Sequence, residues 1–385
     1  MTDTDEIKKR ALKVISPILP ASNSTKAEKD FLFQAQKTTA SQNLPPYYMI
    51  YFLLVELLGF RDLGRFEKIS WSIPIDYNGE AFLIEHRKFG VGIFARDASA
   101  QSKEADEIAA LIRKGVKCAK PFFEKMAQEA AQKSELNVVN NARELFERFN
   151  FLLDEYRKLN NEAENRKDEV IKTQLSENSW MTERPYYQIK RKADWLAISV
   201  VEAFFSWTEH VFIHIGILNG NICTGVDVSN LASAEWSDKF KVALPLSDKS
   251  NKSFYDDLLL IRKQIRNFIA HGAFGKEGEA FHFHSRTGAV PIVMEDKKRK
   301  QNFSISDELA FNNNAAIALI EKFITHLWSD RRKPAYLYIQ EYSLPLILTM
   351  VTDGQYKSAM QSTEKMKELV EHLSGQQERA WNMDW

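Results

Sequence analysis

The stretch Leu258–Gly275, LLLIRKQIRNFIAHGAFG, carries the reading on which the fold rests. Phe254, Leu258, Ile261, Ile265 and Phe268 recur at spacings of four, three, four and three, the stripe of a helix that faces a core. At roughly 100° per residue, Arg266, Asn267 and His271 all fall outside that stripe. Asn267 and His271 are one turn apart, and Arg266 sits beside them around the cylinder. Gly272 is a natural stop just past the helix, so His271 belongs to its last turn. The negative helix end favours imidazolium and is expected to raise the His271 pKa. Arg266 is a permanent cation whose fork suits phosphate oxygens. A titratable group beside a fixed cation is what metal-free phosphodiester cleavage needs. In such a reaction the ribose 2′-hydroxyl attacks the adjacent phosphate; His271 is expected to move the proton, and Arg266 to stabilise the charge growing on the phosphoryl oxygens. Asn267 is expected to orient the imidazole or the phosphate. Of the eight histidines in the chain, only His271 follows an arginine at this spacing.

Arg266-Asn267-x-x-x-His271-Gly272 resembles the Arg-x(4–6)-His motif of HEPN domains, in which a polar residue, often Asn, follows the Arg. The resemblance covers about residues 186–330. A long aromatic-rich segment, DWLAISVVEAFFSWTEHVFIHI, precedes the motif helix, and an apolar periodic segment at 307–329 follows it. The resemblance implies a helical bundle and a ribonuclease of the kind found in toxin–antitoxin, abortive-infection and CRISPR-linked defence. It also implies a homodimer in which one motif from each protomer lines a shared cleft, with RNA as substrate, no metal, no cofactor, and a regulatory or antitoxin partner. The other function it allows is a non-catalytic RNA-binding or scaffold protein of the same fold. Two features depart from the family: the aromatic expected two residues after the His is Ala273, with Phe274 next, and a hairpin at 280–293 is added.

Outward from the motif, the expected fold is mainly α, with a HEPN-like bundle at 183–335, a small α/β domain at 1–99, an amphipathic helical connector at 100–182 and a helical extension at 336–385. In the N-terminal part, residues 1–45 read as a short helix and a polar, proline-punctuated chain. YYMIYFLLVELLGF reads as a compact apolar helix ending near Gly59. SWSIPIDY, the pair Asn78-Gly79, EAFLIEHRKFG and VGIFARD then read as a three-strand meander, because Asn-Gly between alternating apolar runs is a strong hairpin signal. Residues 103–132 and 136–160 have helical period, and 160–182 reads as a polar boundary. Helices are expected over 193–218, 253–271, 307–329 and 355–374, with a loop at 219–235. The apolar run Ser199–Leu218 contains Glu202, Glu209, His210 and His214, which are costly in a bilayer, so it reads as a buried helix.

Composition sets outer limits. With 52 basic and 52 acidic residues, the chain carries no overall charge to draw it to nucleic acid or membrane. Cys118 and Cys223 are the only cysteines, too few for a disulfide framework or a cysteine-rich zinc module. Together with MTDTDEIKKR, which has no apolar signal core, they lead to the expectation of a cytoplasmic protein. Glycine-rich phosphate loops, a Rossmann fingerprint and a serine nucleophile elbow are absent from the sequence. Four other clusters compete with the motif. His210/His214 and His282/His284 together supply four imidazoles suited to zinc, against the plainer reading of packed or surface histidines. Glu202 and Glu209 are candidates to orient Arg266 or His271. Asp76, Glu85 and Lys88 resemble the acidic-plus-lysine set of metal-dependent restriction nucleases, but Lys88 is one residue too late to share a strand face with Glu85. Lys190–Lys192, Lys297–Lys300 and Arg331–Lys333 are basic runs that can track phosphates or simply be solvated.

Overall fold

The computed structural model describes the backbone of residues 3–271, 281–297, 300–305 and 313–383; the side chains of 264–271, 281–283, 289–297, 300–305 and 330 lie outside the described set. The chain divides into two compact units, Met1–Lys133 with Glu371–Trp385, and Ser134–Val370. Helices dominate, with one antiparallel sheet near the N-terminus.

The sheet of the first unit is built on the expected meander. β3 (Ile69–Tyr77), β4 (Glu80–Arg87) and β5 (Gly90–Ala95) pair in sequence. Asn78 and Gly79 both have positive φ, 54° and 88°, the backbone of the tight turn that their sequence favours. Two short strands from the proline-punctuated segment extend the sheet: β1 (Ile18–Pro20) joins β3 and β2 (Gln36–Lys37) joins β5, giving the order β1-β3-β4-β5-β2. Alternation places Ile73, Ile75, Phe82, Ile84 and Ile93 on one buried face. Helices Asp3–Ile15 and Ser102–Cys118 bring Ala11, Ile15, Ile108 and Ile112 into the same core. The apolar segment after Pro46 starts as a helix at Tyr47–Tyr51 and widens over Phe52–Leu57, where the Leu58 N–H donates to the Leu53 carbonyl at 3.1 Å, five residues back. It stops, as its sequence suggests, at Gly59, whose φ is +79°.

Residues 100–133, read from the sequence as the start of a connector, belong to this same compact unit. The single helix expected at 103–132 is two, Ser102–Cys118 and Lys120–Gln132. Pro121, which lacks an N–H, sits in the first turn of the second helix, where none is required.

The second unit is organised around one long helix, Pro185–Leu218. It packs along Ala142–Asn165, and Trp236–Ala243 and Asn313–Leu327 lie against it as well. Trp207, Phe204, Phe212, Trp236, Phe240 and Phe323 are fully enclosed. Both enclosed indoles are satisfied: Trp207 Nε1 donates to Gln340 at 3.2 Å and Trp236 Nε1 to the Thr208 hydroxyl at 3.0 Å. By length and composition Pro185–Leu218 is the one candidate membrane span among the described residues, and over half of its apolar window is buried within the unit. The core-helix reading accounts for its hydrophobicity.

Local signals were overridden in several places. The polar boundary at 160–182 is the end of Ala142–Asn165 followed by an exposed hairpin, Ile171–Ser176 with Ser179–Glu183. The loop expected at 219–235 contains a helix, Gly225–Ala232, started by a reciprocal capping box between Thr224 and Asp227. The added hairpin after the motif is present as Phe281–Ser285 with Gly288–Lys297, and a third strand, Lys300–Ile305, completes it. The final helix is interrupted: Gln355–Ala359 is separate from Thr363–Asn382.

Candidate functional site

The motif helix runs unbroken from Lys249 to His271. Asp248 sets its start by accepting from the backbone N–H of Ser250 at 2.8 Å and of Asn251 at 3.4 Å. The carboxylate is held below its usual range by these bonds. Asn251 is buried, and its side-chain oxygen pairs with His326 Nε2 at 2.8 Å. His326 stacks on Phe254, centroid to centroid 4.9 Å, which ties the first turn to Asn313–Leu327. Burial, then the Arg332 guanidinium, pushes the His326 pKa down, with Asp248 opposing. Arg332 itself donates to the carbonyls of His326 and Leu327, both at 2.6 Å, and so closes the end of that helix.

The apolar stripe behaves as its spacing requires. Leu258 and Ile261 are buried, and Phe254 meets Phe323 at 5.5 Å. One residue after Ile261, Arg262 donates to Glu209 of the central helix at 2.9 Å and lies over the Phe205 ring, 5.3 Å from its centroid. The other Glu209 oxygen accepts from Lys239 at 2.7 Å. Lys239 is only 4% exposed, so this carboxylate is the counter-charge of a buried ammonium as well as of Arg262. Two cations thus share one anion, and three helices meet at that anion.

Arg262 is one helical turn before Arg266. Arg266, Asn267 and His271 all lie on the same continuous helix, and His271 is the last of its described residues. Their side chains are outside the described residues. Of the two acids weighed as orienting groups, Glu202 is exposed, whereas Glu209 reaches the motif helix through Arg262. The involvement of Arg262 and Lys239 was not anticipated from the sequence. The available signal was Arg262 four residues ahead of Arg266, on the same side of the helix.

The zinc candidates are otherwise engaged. His210 Nε2 accepts the Asn141 N–H at 2.9 Å. His214 places one ring nitrogen 2.8 Å from the His210 carbonyl and the other 3.2 Å from the Val139 carbonyl. Burial, then the neighbouring His214, lowers the His210 pKa to about 3. Burial lowers that of His214 to about 4, with its two carbonyl contacts opposing. Burial favours the neutral form of both; His210 fastens Asn141 to the central helix, and His214, with one ring N–H, donates to one of its two carbonyl neighbours. His284 is exposed, and the His282 side chain is outside the described set. Among the described residues no group of three or more His, Cys, Asp or Glu is placed to hold a metal.

The meander residues are dispersed in the same way. Asp76 accepts from Thr25 at 2.7 Å and from the Gly79 N–H at 2.8 Å, bracing the hairpin turn. Glu85 is buried and accepts from Ser72 at 2.8 Å and from Arg87 Nε at 2.6 Å. Lys88 reaches Asn382 at 3.1 Å. Of the basic runs, Lys190 is taken up by Asn160 at 2.7 Å, while Arg191, Lys192 and Arg331 are exposed. Lys298 and Arg299 and the side chains of Lys297 and Lys300 lie outside the described residues.

Comparison with protein-family models, with curated proteins and with solved structures gives no significant match.

Proposed function

We propose that the chain is a cytoplasmic, metal-independent endoribonuclease of HEPN type, a defence or toxin effector that acts as a homodimer on RNA and is restrained by a regulatory or antitoxin partner. The observation that carries this reading is one uninterrupted helix with its buried stripe at Leu258 and Ile261, which includes Arg266, Asn267 and His271 at spacings that fall off that stripe. The helix sits in a helical unit, as the resemblance requires.

In the proposed reaction the ribose 2′-oxygen bonds to phosphorus and the bond to the 5′-oxygen breaks. His271 as imidazole takes the 2′-hydroxyl proton, and the leaving 5′-oxygen takes a proton from water. The products are a 2′,3′-cyclic phosphate and a 5′-hydroxyl. Arg266 meets the charge on the non-bridging oxygens, and Asn267 orients the imidazole or the phosphate.

The test is RNA cleavage by wild type, Arg266→Ala and His271→Ala with chelator present. The expected outcome is chelator-resistant cleavage that falls by roughly 10²–10⁴-fold in each variant. Equal RNA binding with no cleavage by any of the three would replace the enzyme with an RNA-binding scaffold. Cleavage abolished by chelator would overturn the mechanism.

A further inference from the structure

A cleft at the open edge of β5 offers a different chemistry. Lys37, Thr38, Thr39, Ser41, Gln42, Phe89 and Val91 line a space of about 430 Å³. That falls within the size range of small-molecule sites. We propose that this cleft binds a nucleoside monophosphate, with the base on Phe89 and the Val91 backbone and the phosphate at Lys37 and Thr39.

The argument starts from the strand edge. β5 pairs along one side with β4, but on the other side only Ala95 and Phe94 are paired, with Gln36 and Lys37. Ile93 turns both of its polar backbone groups to that second side: its carbonyl accepts from the Thr38 N–H at 2.9 Å, and its N–H donates to the Ser41 hydroxyl at 3.1 Å. The two-residue period of a strand sends the N–H and carbonyl of Val91 to the same side. There the neighbouring chain has already left the sheet for the turn Thr39–Asn43. The cleft wall therefore presents an adjacent backbone donor and acceptor, the pair that the hydrogen-bonding edge of a base matches.

Phe89 stands at the β4–β5 turn and is 90% exposed. A lone exposed aromatic means little; one at the mouth of a cleft beside a donor–acceptor pair is a stacking surface. Lys37 supplies the charge. Its stem lies over Gly92, where a Cβ would come within 2.9 Å of Lys37 Cε, so the absence of a side chain there makes room for the lysine. No described residue pairs with the Lys37 ammonium, the Thr39 hydroxyl or the Gln42 amide. By contrast, the Thr38 and Ser41 hydroxyls are committed to the backbone carbonyls of Ile93 and Thr38. An apolar ligand would leave this wall unpaired, and free phosphate would not use the ring.

The proposal is independent of the nuclease reading. The experiment is calorimetric titration of the full chain with AMP, GMP, CMP, UMP, adenosine and inorganic phosphate. At least one nucleotide is expected to bind in the micromolar to millimolar range and more tightly than phosphate. Phe89→Ala should weaken that nucleotide about tenfold, the loss of one stacked base. Lys37→Ala should weaken the nucleotide by a similar factor while leaving adenosine unchanged. Both side chains are exposed, so neither variant removes core, and circular dichroism checks that the fold is kept. The same titration on His271→Ala separates this cleft from the motif: unchanged nucleotide affinity supports the proposal. No saturable binding of any nucleotide, or binding that survives both cleft variants, overturns it.

Discussion

Glu209 shows how one side chain can matter for the neighbours it neutralises. It is the described counter-ion of Lys239, which is almost fully enclosed, and it holds Arg262 on the motif helix. Removing one partner from such a set leaves an uncompensated buried charge, a larger cost than losing the attraction itself. Glu209→Gln is expected to destabilise the chain by about 2–3 kcal/mol in urea unfolding. Adding Lys239→Met should recover a large part of that loss, because the stranded ammonium is then gone. A Glu209→Gln variant within about 0.5 kcal/mol of wild type would mean that water screens the cluster. This contact was out of reach of the sequence, since it joins positions from three helices whose packing no local pattern specifies. The stripe at Phe254, Leu258 and Ile261 was legible because it depends only on helical period. The same holds for the helix that carries Arg266, Asn267 and His271.

At the scale of elements, spacing was informative where backbone requirements are strict. Asn78-Gly79 sets the β3–β4 turn because both residues accept positive φ, and the meander follows. β1 and β2 were not legible. At three and two residues they are too short to show alternation, and they exist because the sheet edges take them up. The helices Gly225–Ala232 and Trp236–Ala243 were missed for a related reason: eight residues is two turns, too few for a stripe to emerge. Glycines inside helices give a matched test of packing against propensity. A Cβ on Gly115, in Ser102–Cys118, would come within 2.6 Å of Ile15 Cγ2 and 2.9 Å of Leu53 Cδ2, both in the core. A Cβ on Gly375, in Thr363–Asn382, would meet nothing within 4 Å. Alanine raises helix propensity at either site by about 1 kcal/mol. Overpacking should reverse the sign at the first, so Gly115→Ala is expected to cost about 1–3 kcal/mol. Gly375→Ala should stabilise by about 0.5–1 kcal/mol. Urea midpoints that move the same way in both variants would show that the core around Ile15 and Leu53 yields.

For the whole molecule, the neutral balance of 52 and 52 charges conceals an uneven placing of acid-sensitive groups. The unit Ser134–Val370 holds His210, His214 and His326, all with pKa values pushed down chiefly by burial. In the other unit the His86 pKa is also pushed downward by burial. A histidine whose folded pKa lies below its unfolded value binds more protons when unfolded. Stability is therefore intact above the unfolded pKa, near 6.5, and declines as pH falls toward the folded value. For His210 and His214 that window extends down to about 3 and about 4. Each imidazole contributes a slope of about 1.4 kcal/mol per pH unit inside its window, so the pair contributes about 2.7 kcal/mol per pH unit. The shifted carboxylates Glu169, Asp227, Asp248 and Glu364 have lowered pKa values and add their losses only below about 4.5. Between about pH 6.5 and 4.5 the histidines of Ser134–Val370 should therefore dominate acid unfolding. Calorimetry is expected to show the transition of that unit falling faster than the transition of the N-terminal sheet unit as pH drops from 7 to 5. His214→Gln should flatten the steeper dependence by about a third to a half, because one of the three shifted histidines, and one of the two most deeply buried, is removed. Parallel shifts of both transitions, or a slope that His214→Gln leaves intact, would place the acid sensitivity outside the segment Val139–Asn141 and the two rings that fasten it.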